Sequence, residues 1–103
     1  MPDSVSQTEV EIRNANGLHM KPAMQIVDTA SKFASDVKIS RDKTVVDAKS
    51  IMQVAMLAAT LGTKLTITAK GPDAQMAIDA LKDLIEVQLF GEQGRQTEEN
   101  SAK

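Results

Sequence analysis

The chain has 103 residues, of which 42% are hydrophobic and 25% charged, with a net charge of −2; that fits one small folded domain and excludes a second. It has no cysteine, which excludes a disulfide framework, a cysteine-based zinc site and a thiol nucleophile. Twelve basic residues against fourteen acidic ones, with Phe33 and Phe90 the only aromatic rings, provide neither the basic surface nor the stacking platforms of a nucleic-acid binder.

Residues 1–7 carry no basic region and no apolar run, so no secretory signal is expected. No stretch approaches the roughly 20 apolar residues that cross a bilayer, so membrane insertion is not expected and the cytoplasm is the expected location. Residues 1–7 and 91–103 lack large apolar side chains in any periodic pattern and are expected to be flexible termini. The domain is expected over residues 8–90.

Inside it two periodicities alternate. Thr8 to Arg13 sets Val10 and Ile12 on one face and Glu9, Glu11 and Arg13 on the other, a strand with one wet face. Residues 20–34 switch to helical spacing, with Ala23, Ile26, Val27, Ala30 and Ala34 aligned. Val37 and Ile39 mark a second strand over Asp36 to Ser40. The polar turn Arg41-Asp42-Lys43 and the short strand Thr44-Val45-Val46 complete a hairpin. Ser50 opens a short helix with Ile51, Val54, Ala55 and Ala58 on one side, and Gly62 follows it. Lys64 to Ala69 alternates again. Pro72 and Asp73 suit a helix's first turn, and Ala74, Ala77, Ile78, Leu81, Leu84, Ile85 and Leu89 form the stripe of a last helix running to about Phe90. Gly91 stands where its C-terminal cap belongs.

The order is strand, helix, strand, strand, helix, strand, helix. Each strand has one apolar face and each helix one apolar stripe. The economical packing is two layers, with helices covering one face of a four-stranded sheet. No long heptad run suggests more than a monomer.

The single histidine, His19, lies between the first strand and the first helix, in Asn16-Gly17-Leu18-His19-Met20-Lys21-Pro22-Ala23. Pro is accommodated in a helix's first turn because the N–H it lacks has no intrahelical partner there. This places His19 at or beside the N-cap. A helix start carries about +0.5 of an elementary charge and outward-pointing amides, an arrangement suited to anions. The same field disfavours an imidazolium, and Lys21 adds a full positive charge nearby. A neutral ring nitrogen beside a phosphate-sized electropositive pocket has what it needs to accept a phosphoryl group. Taken alone, a histidine at a loop–helix junction is more often an ordinary polar surface residue, and Lys21 a solvated charge.

The segment around His19 resembles the active-site signature Gly-Leu/Ile-His-Ala-Arg-Pro-Ala of the HPr family, the histidine-containing phosphocarriers of bacterial sugar phosphotransferase systems. Asp47-Ala48-Lys49-Ser50-Ile51-Met52 resembles that family's regulatory serine region, and Ala30-Ser31-Lys32-Phe33 and Gly62-Thr63-Lys64-Leu65-Thr66-Ile67 fall where members carry similar segments. The resemblance covers about residues 8–90. It implies an α+β open-faced β-sandwich, a four-stranded antiparallel sheet with three helices on one face in the order βαββαβα. It also implies that His19 takes a phosphoryl group from phosphoenolpyruvate by way of enzyme I and passes it to enzyme IIA domains. Asn16 and the first-turn amides would orient the phosphate, Lys21 would hold it, and Ser50 would be the target of an HPr kinase/phosphorylase. Such a protein is a carrier rather than an enzyme, and no cofactor or metal is implied.

Two residues depart from the signature. Lys21 replaces an Arg, exchanging a planar two-point fork for a point charge on a flexible stem. Met20 replaces a small residue. Ser50 also reads as a helix N-cap, worth about 1 kcal/mol. Met20, Met24, Met52 and Met56 form two i, i+4 pairs and are expected mostly to fill the core, with an exposed docking patch at Met20, Ile51 and Met52. Two rival readings remain. One is a regulatory paralogue whose phosphorylation at His19 or Ser50 controls partners rather than sugar uptake. The other is a small hydrolase, for which Arg13 and Arg41 lack the Gly-rich anion loop.

Overall fold

A computed structural model describes residues 4–15 and 17–89. Alternation sets the sheet. In β4 (Lys64–Gly71), Leu65, Ile67 and Ala69 are buried while the residues between them are not. The same parity buries Val37 and Ile39 of β2 (Asp36–Arg41) and Val46 of β3 (Thr44–Asp47). The antiparallel order is β1-β4-β2-β3, with β1 spanning Ser4–Glu11. Register places Val10 opposite Leu65, and Ile67 between Thr8 and Ile39. One face of the sheet is therefore continuous and apolar.

That face is covered by helices. α1 (Met20–Ala30) buries Pro22, Ala23, Ile26 and Ala30, and α3 (Ala74–Asp83) buries Ala74, Ala77, Ile78 and Leu81. The shorter α2 (Ile51–Met56) follows β3 and buries Val54. α3 continues into a π-helical turn, Leu84–Gln88, where the N–H of Leu89 donates to the carbonyl of Leu84. The widened turn keeps Leu84, Ile85 and Leu89 buried. The layering is the open-faced sandwich read from the sequence.

Several boundaries differ. β1 begins at Ser4, four residues ahead of Thr8, because Ser4 to Gln7 pair with Gly71 to Thr68 of β4. The inward positions there are Ser6 and Thr8, so the extension is held by ladder hydrogen bonds and leaves no apolar alternation to read. α1 stops at Ala30 instead of running on to Ala34. The Asp73 carboxylate accepts from the N–H of Ala34 at 3.0 Å and of Ser35 at 2.9 Å, drawing that segment away from the helix axis. The Ser35 hydroxyl donates back to the same carboxylate and accepts from the Asp73 N–H. α2 ends before Ala58, which takes a left-handed φ of +48° and is exposed. Phe90, Gly91 and the tail expected over 91–103 lie outside the described residues.

Met24 and Met56 depart from the core filling expected of them, while Met20 and Met52 are exposed, as expected. Met20, Met24, Met52 and Met56 are all more than half exposed, and none enters the core of Val, Ile, Leu and Ala side chains. Their faces of α1 and α2 point away from the sheet.

Candidate functional site

The loop from β1 to α1 is fixed by three kinds of contact. Asn14 is buried, donates its side-chain amide to the carbonyl of Gly17 at 2.7 Å, and accepts at its own carbonyl from the Gly17 N–H at 3.1 Å. Leu18 is buried and donates its N–H to the carbonyl of Ala59 at 2.9 Å. Gly17 has a φ of +67° and lies so close to the neighbouring loop that an added Cβ would stand 2.3 Å from the Ala59 oxygen. Only glycine meets both demands.

This loop delivers His19 to the N-cap of α1 with extended backbone, φ −81° and ψ −172°. Its carbonyl accepts the first helical hydrogen bond, from Ala23 at 3.0 Å. Its imidazole makes no capping hydrogen bond and is exposed. A side chain at this position commonly turns back to satisfy the helix amides. Here the ring does not. Pro22 sits buried in the first turn and pins it to the core, while Met20 and Lys21, which precede it in the same turn, are exposed. First-turn amides point out of the helix end, and the dipole adds its positive field there. The helix-start amides, the dipole's positive field and the exposed His19 ring therefore share this end of α1. Asn16, the remaining residue assigned to this site, lies outside the described residues.

The neighbouring loop is itself held from below. The Arg41 guanidinium, at the end of β2, donates to the carbonyls of Leu57 at 2.8 Å and Ala58 at 3.1 Å. This support fixes the residues leading to Ala59, which in turn seats Leu18. Arg41 is thus committed to backbone carbonyls, and Arg13 lies 3.9 Å from Glu86. Neither serves the anion loop that a hydrolase reading requires.

Ser50 is the N-cap of α2, and its hydroxyl accepts from the N–H of Gln53 at 3.4 Å. Gln53 in turn uses its side-chain oxygen to accept from the N–H of Asp47 at 2.9 Å. Lys49 reaches across to the carbonyl of Phe33 at 2.9 Å and ties this entry to the end of α1. A groove of about 340 Å³ between the two helices is lined by Met20, Met24, Val27, Asp28 and Ile51. It runs from the residue after His19 to the residue after Ser50. Met52 stands outside this groove and is 77% exposed, the most open large apolar side chain among the described residues.

Two structural residues escaped the sequence reading. Asn14 had a signal, since Asn three residues ahead of Gly is turn chemistry. Glu86 had none. Burial would raise its carboxyl, but the Glu11 N–H at 2.9 Å, Lys82 at 3.3 Å and Arg13 together hold it below the ordinary carboxylate value. It stitches the π-helical turn to the end of β1. Among the described residues no cluster of His, Asp or Glu is arranged to hold a metal.

Comparison with known proteins places the chain in a family. The family described as PTS HPr component phosphorylation site matches residues 6–87. Phosphocarrier protein HPr of Cupriavidus necator is 46% identical over 86 residues, covering 84% of this chain and 96% of that protein. HPr-like protein Crh of Bacillus subtilis is 39% identical over 83 residues, covering 81% and 98%. The crystal structure of HPr-C-His from Thermoanaerobacter tengcongensis superposes with a TM-score of 0.78 at 43% identity, covering 84% of this chain and 96% of that one.

Proposed function

The chain belongs to the HPr family of phosphotransferase-system phosphocarriers, and we propose that its working residue is His19, which takes a phosphoryl group from phospho-enzyme I and gives it to enzyme IIA domains. The observation that carries this is the exposed His19 ring at the start of α1, released from capping. The unprotonated ring nitrogen attacks phosphorus with its lone pair, and the N–P bond forms as the bond to the donor breaks and the donor group departs with that bond's electron pair. Helix-start amides and Lys21 stabilise the charge on the transferring oxygens. Asn16 is assigned to orienting the phosphate. The same groups hold the phosphate no more tightly than a carrier needs, because Lys21 offers one charge where Arg would offer a fork. The chain is the substrate of its partners and turns nothing over, so it is a carrier and not an enzyme.

The partners dock where apolar surface surrounds the ring. Met20, Ile51 and Met52 form that surface, with the groove between α1 and α2 as its floor. Ser50 lies at its edge as the regulatory site for an HPr kinase/phosphorylase. A phosphate there adds about −1.5 to −2 charge beside Ile51 and Met52 and repels an acidic partner without unfolding α2. No described helix is long and apolar enough to cross a membrane, and the protein's place is with its partners in the cytoplasm.

The test is incubation with phosphoenolpyruvate and enzyme I, followed by mapping of the label. An acid-labile label at His19, absent from His19→Ala, is expected; a label elsewhere overturns the assignment. The similarity to Crh and the Lys21 replacement favour a second, regulatory role. That role is selected if phospho-His19 forms but transfers to no IIA domain.

A further inference from the structure

The sulfur of this chain is all in thioethers, and it is distributed unusually. There is no cysteine and there are six methionines. The five that lie within the described residues are 51–77% exposed, and the buried core contains none. Four of them are concentrated on two adjoining helices. Met20 and Met24 stand one turn apart on α1, and Met52 and Met56 one turn apart on α2. Met20 directly follows His19, and Met20 and Met24 line the groove that Ile51 closes. Leu would fill such positions with equal apolar area, so the fold does not ask for sulfur there.

We propose that Met20, Met24, Met52 and Met56 are a site of reversible oxidation by hydroperoxides, which closes the docking face around His19. The inference rests on the phosphocarrier reading given above. The thioether sulfur attacks one peroxide oxygen, the O–O bond breaks and an S–O bond forms. The sulfur loses two electrons, and the peroxide leaves as alcohol or water after taking up the displaced proton. A sulfoxide is polar and chiral where the thioether was apolar and adaptable. A partner that covers it must bury a strong acceptor without a matching donor. None of the four sulfurs supports the core, so the fold persists while docking fails. Reduction by sulfoxide reductases restores the thioether.

The test treats the purified chain with hydrogen peroxide and removes the oxidant. Each methionine is then mapped by mass spectrometry, and the rate of labelling by enzyme I and phosphoenolpyruvate is measured beside an untreated sample. The labelling rate is expected to fall on the order of tenfold when the four are sulfoxides. The thermal midpoint should stay nearly unchanged, and the rate should return after treatment with both stereospecific reductases. Met76 on α3 is also exposed, at 66%, and does not line the groove; Met76→Leu should be as sensitive to peroxide as the parent. In the chain with Leu at positions 20, 24, 52 and 56, the ratio of treated to untreated rate should be near one, whatever its basal rate. Full oxidation of the four with no loss of rate overturns the inference alone. So does a loss that tracks unfolding. Failure of the untreated chain to be labelled overturns the carrier reading and the inference with it.

Discussion

At Gly17 a side chain would have to enter the space of the Ala59 carbonyl while holding a φ of +67°. Gly17→Ala is therefore expected to cost about 2 kcal/mol of stability, read from denaturant unfolding. It should also slow labelling of His19, because the loop that relieves the clash is the one that seats the ring. Lys21→Arg works in the other direction. The side chain is exposed at the first turn of α1, and a guanidinium there gains two-point contact with phosphate. Labelling by enzyme I should be retained or faster, and a large loss measured in the same assay would assign Lys21 a different role. The N-cap positions of His19 and Ser50 were legible in the sequence, because a first-turn proline and a cap-forming serine each carry a local meaning. Glu86 was not, since what defines it is a backbone amide 75 positions away.

Secondary structure repeats this division. The second half of β1, the β2–β3 hairpin, β4 and the stripe of α3 follow from periodicity, because each buries one face against the same layer. What failed was set from outside the segment concerned. The first half of β1 is a strand because β4 is long enough to pair with it, and α1 ends where the Asp73 carboxylate captures the next two amides. Met24 and Met56 were misread because they were given to the core by residue type, although they lie off the stripes of α1 and α2 that pack inward. At α2 the local reading holds, and Ser50→Ala should destabilise the protein by about 0.5–1 kcal/mol. Ser50→Asp keeps a cap acceptor and should recover most of that loss. Comparing the unfolding free energies of the two variants separates the cap from any effect of charge on partner binding.

Over the whole molecule the central strand is the place where stability is concentrated. Ile67 in β4 is wholly buried between β1 and β2, and Ile67→Ala should cost about 3–4 kcal/mol with little effect on His19 chemistry in the fraction that remains folded. Acid should act at the periphery. Asp73 lies below its ordinary value of 3.8, chiefly through the Ser35 hydroxyl and the Ala34 amide, and Glu86 lies below 4.5 for the reasons given above. Groups depressed in this way contribute fully above their unfolded values and lose that contribution as pH falls through the folded ones. The unfolding midpoint should thus drop steadily below about pH 4. Asp73→Asn should begin from a lower stability and show a shallower acid slope in the same titration.

The Asp73 contacts and the His19 loop sit at opposite ends of the sheet, since α1 begins beside the loop and finishes beside Ser35. Lys32 is exposed at that far end, just past the last turn of α1. In a chain with no native thiol, Lys32→Cys supplies a unique handle for a fluorophore or a tether. A protein anchored through it to a bead would hold its imidazole toward the solution, and single transfer events could be watched on an immobilised carrier without crowding the partners.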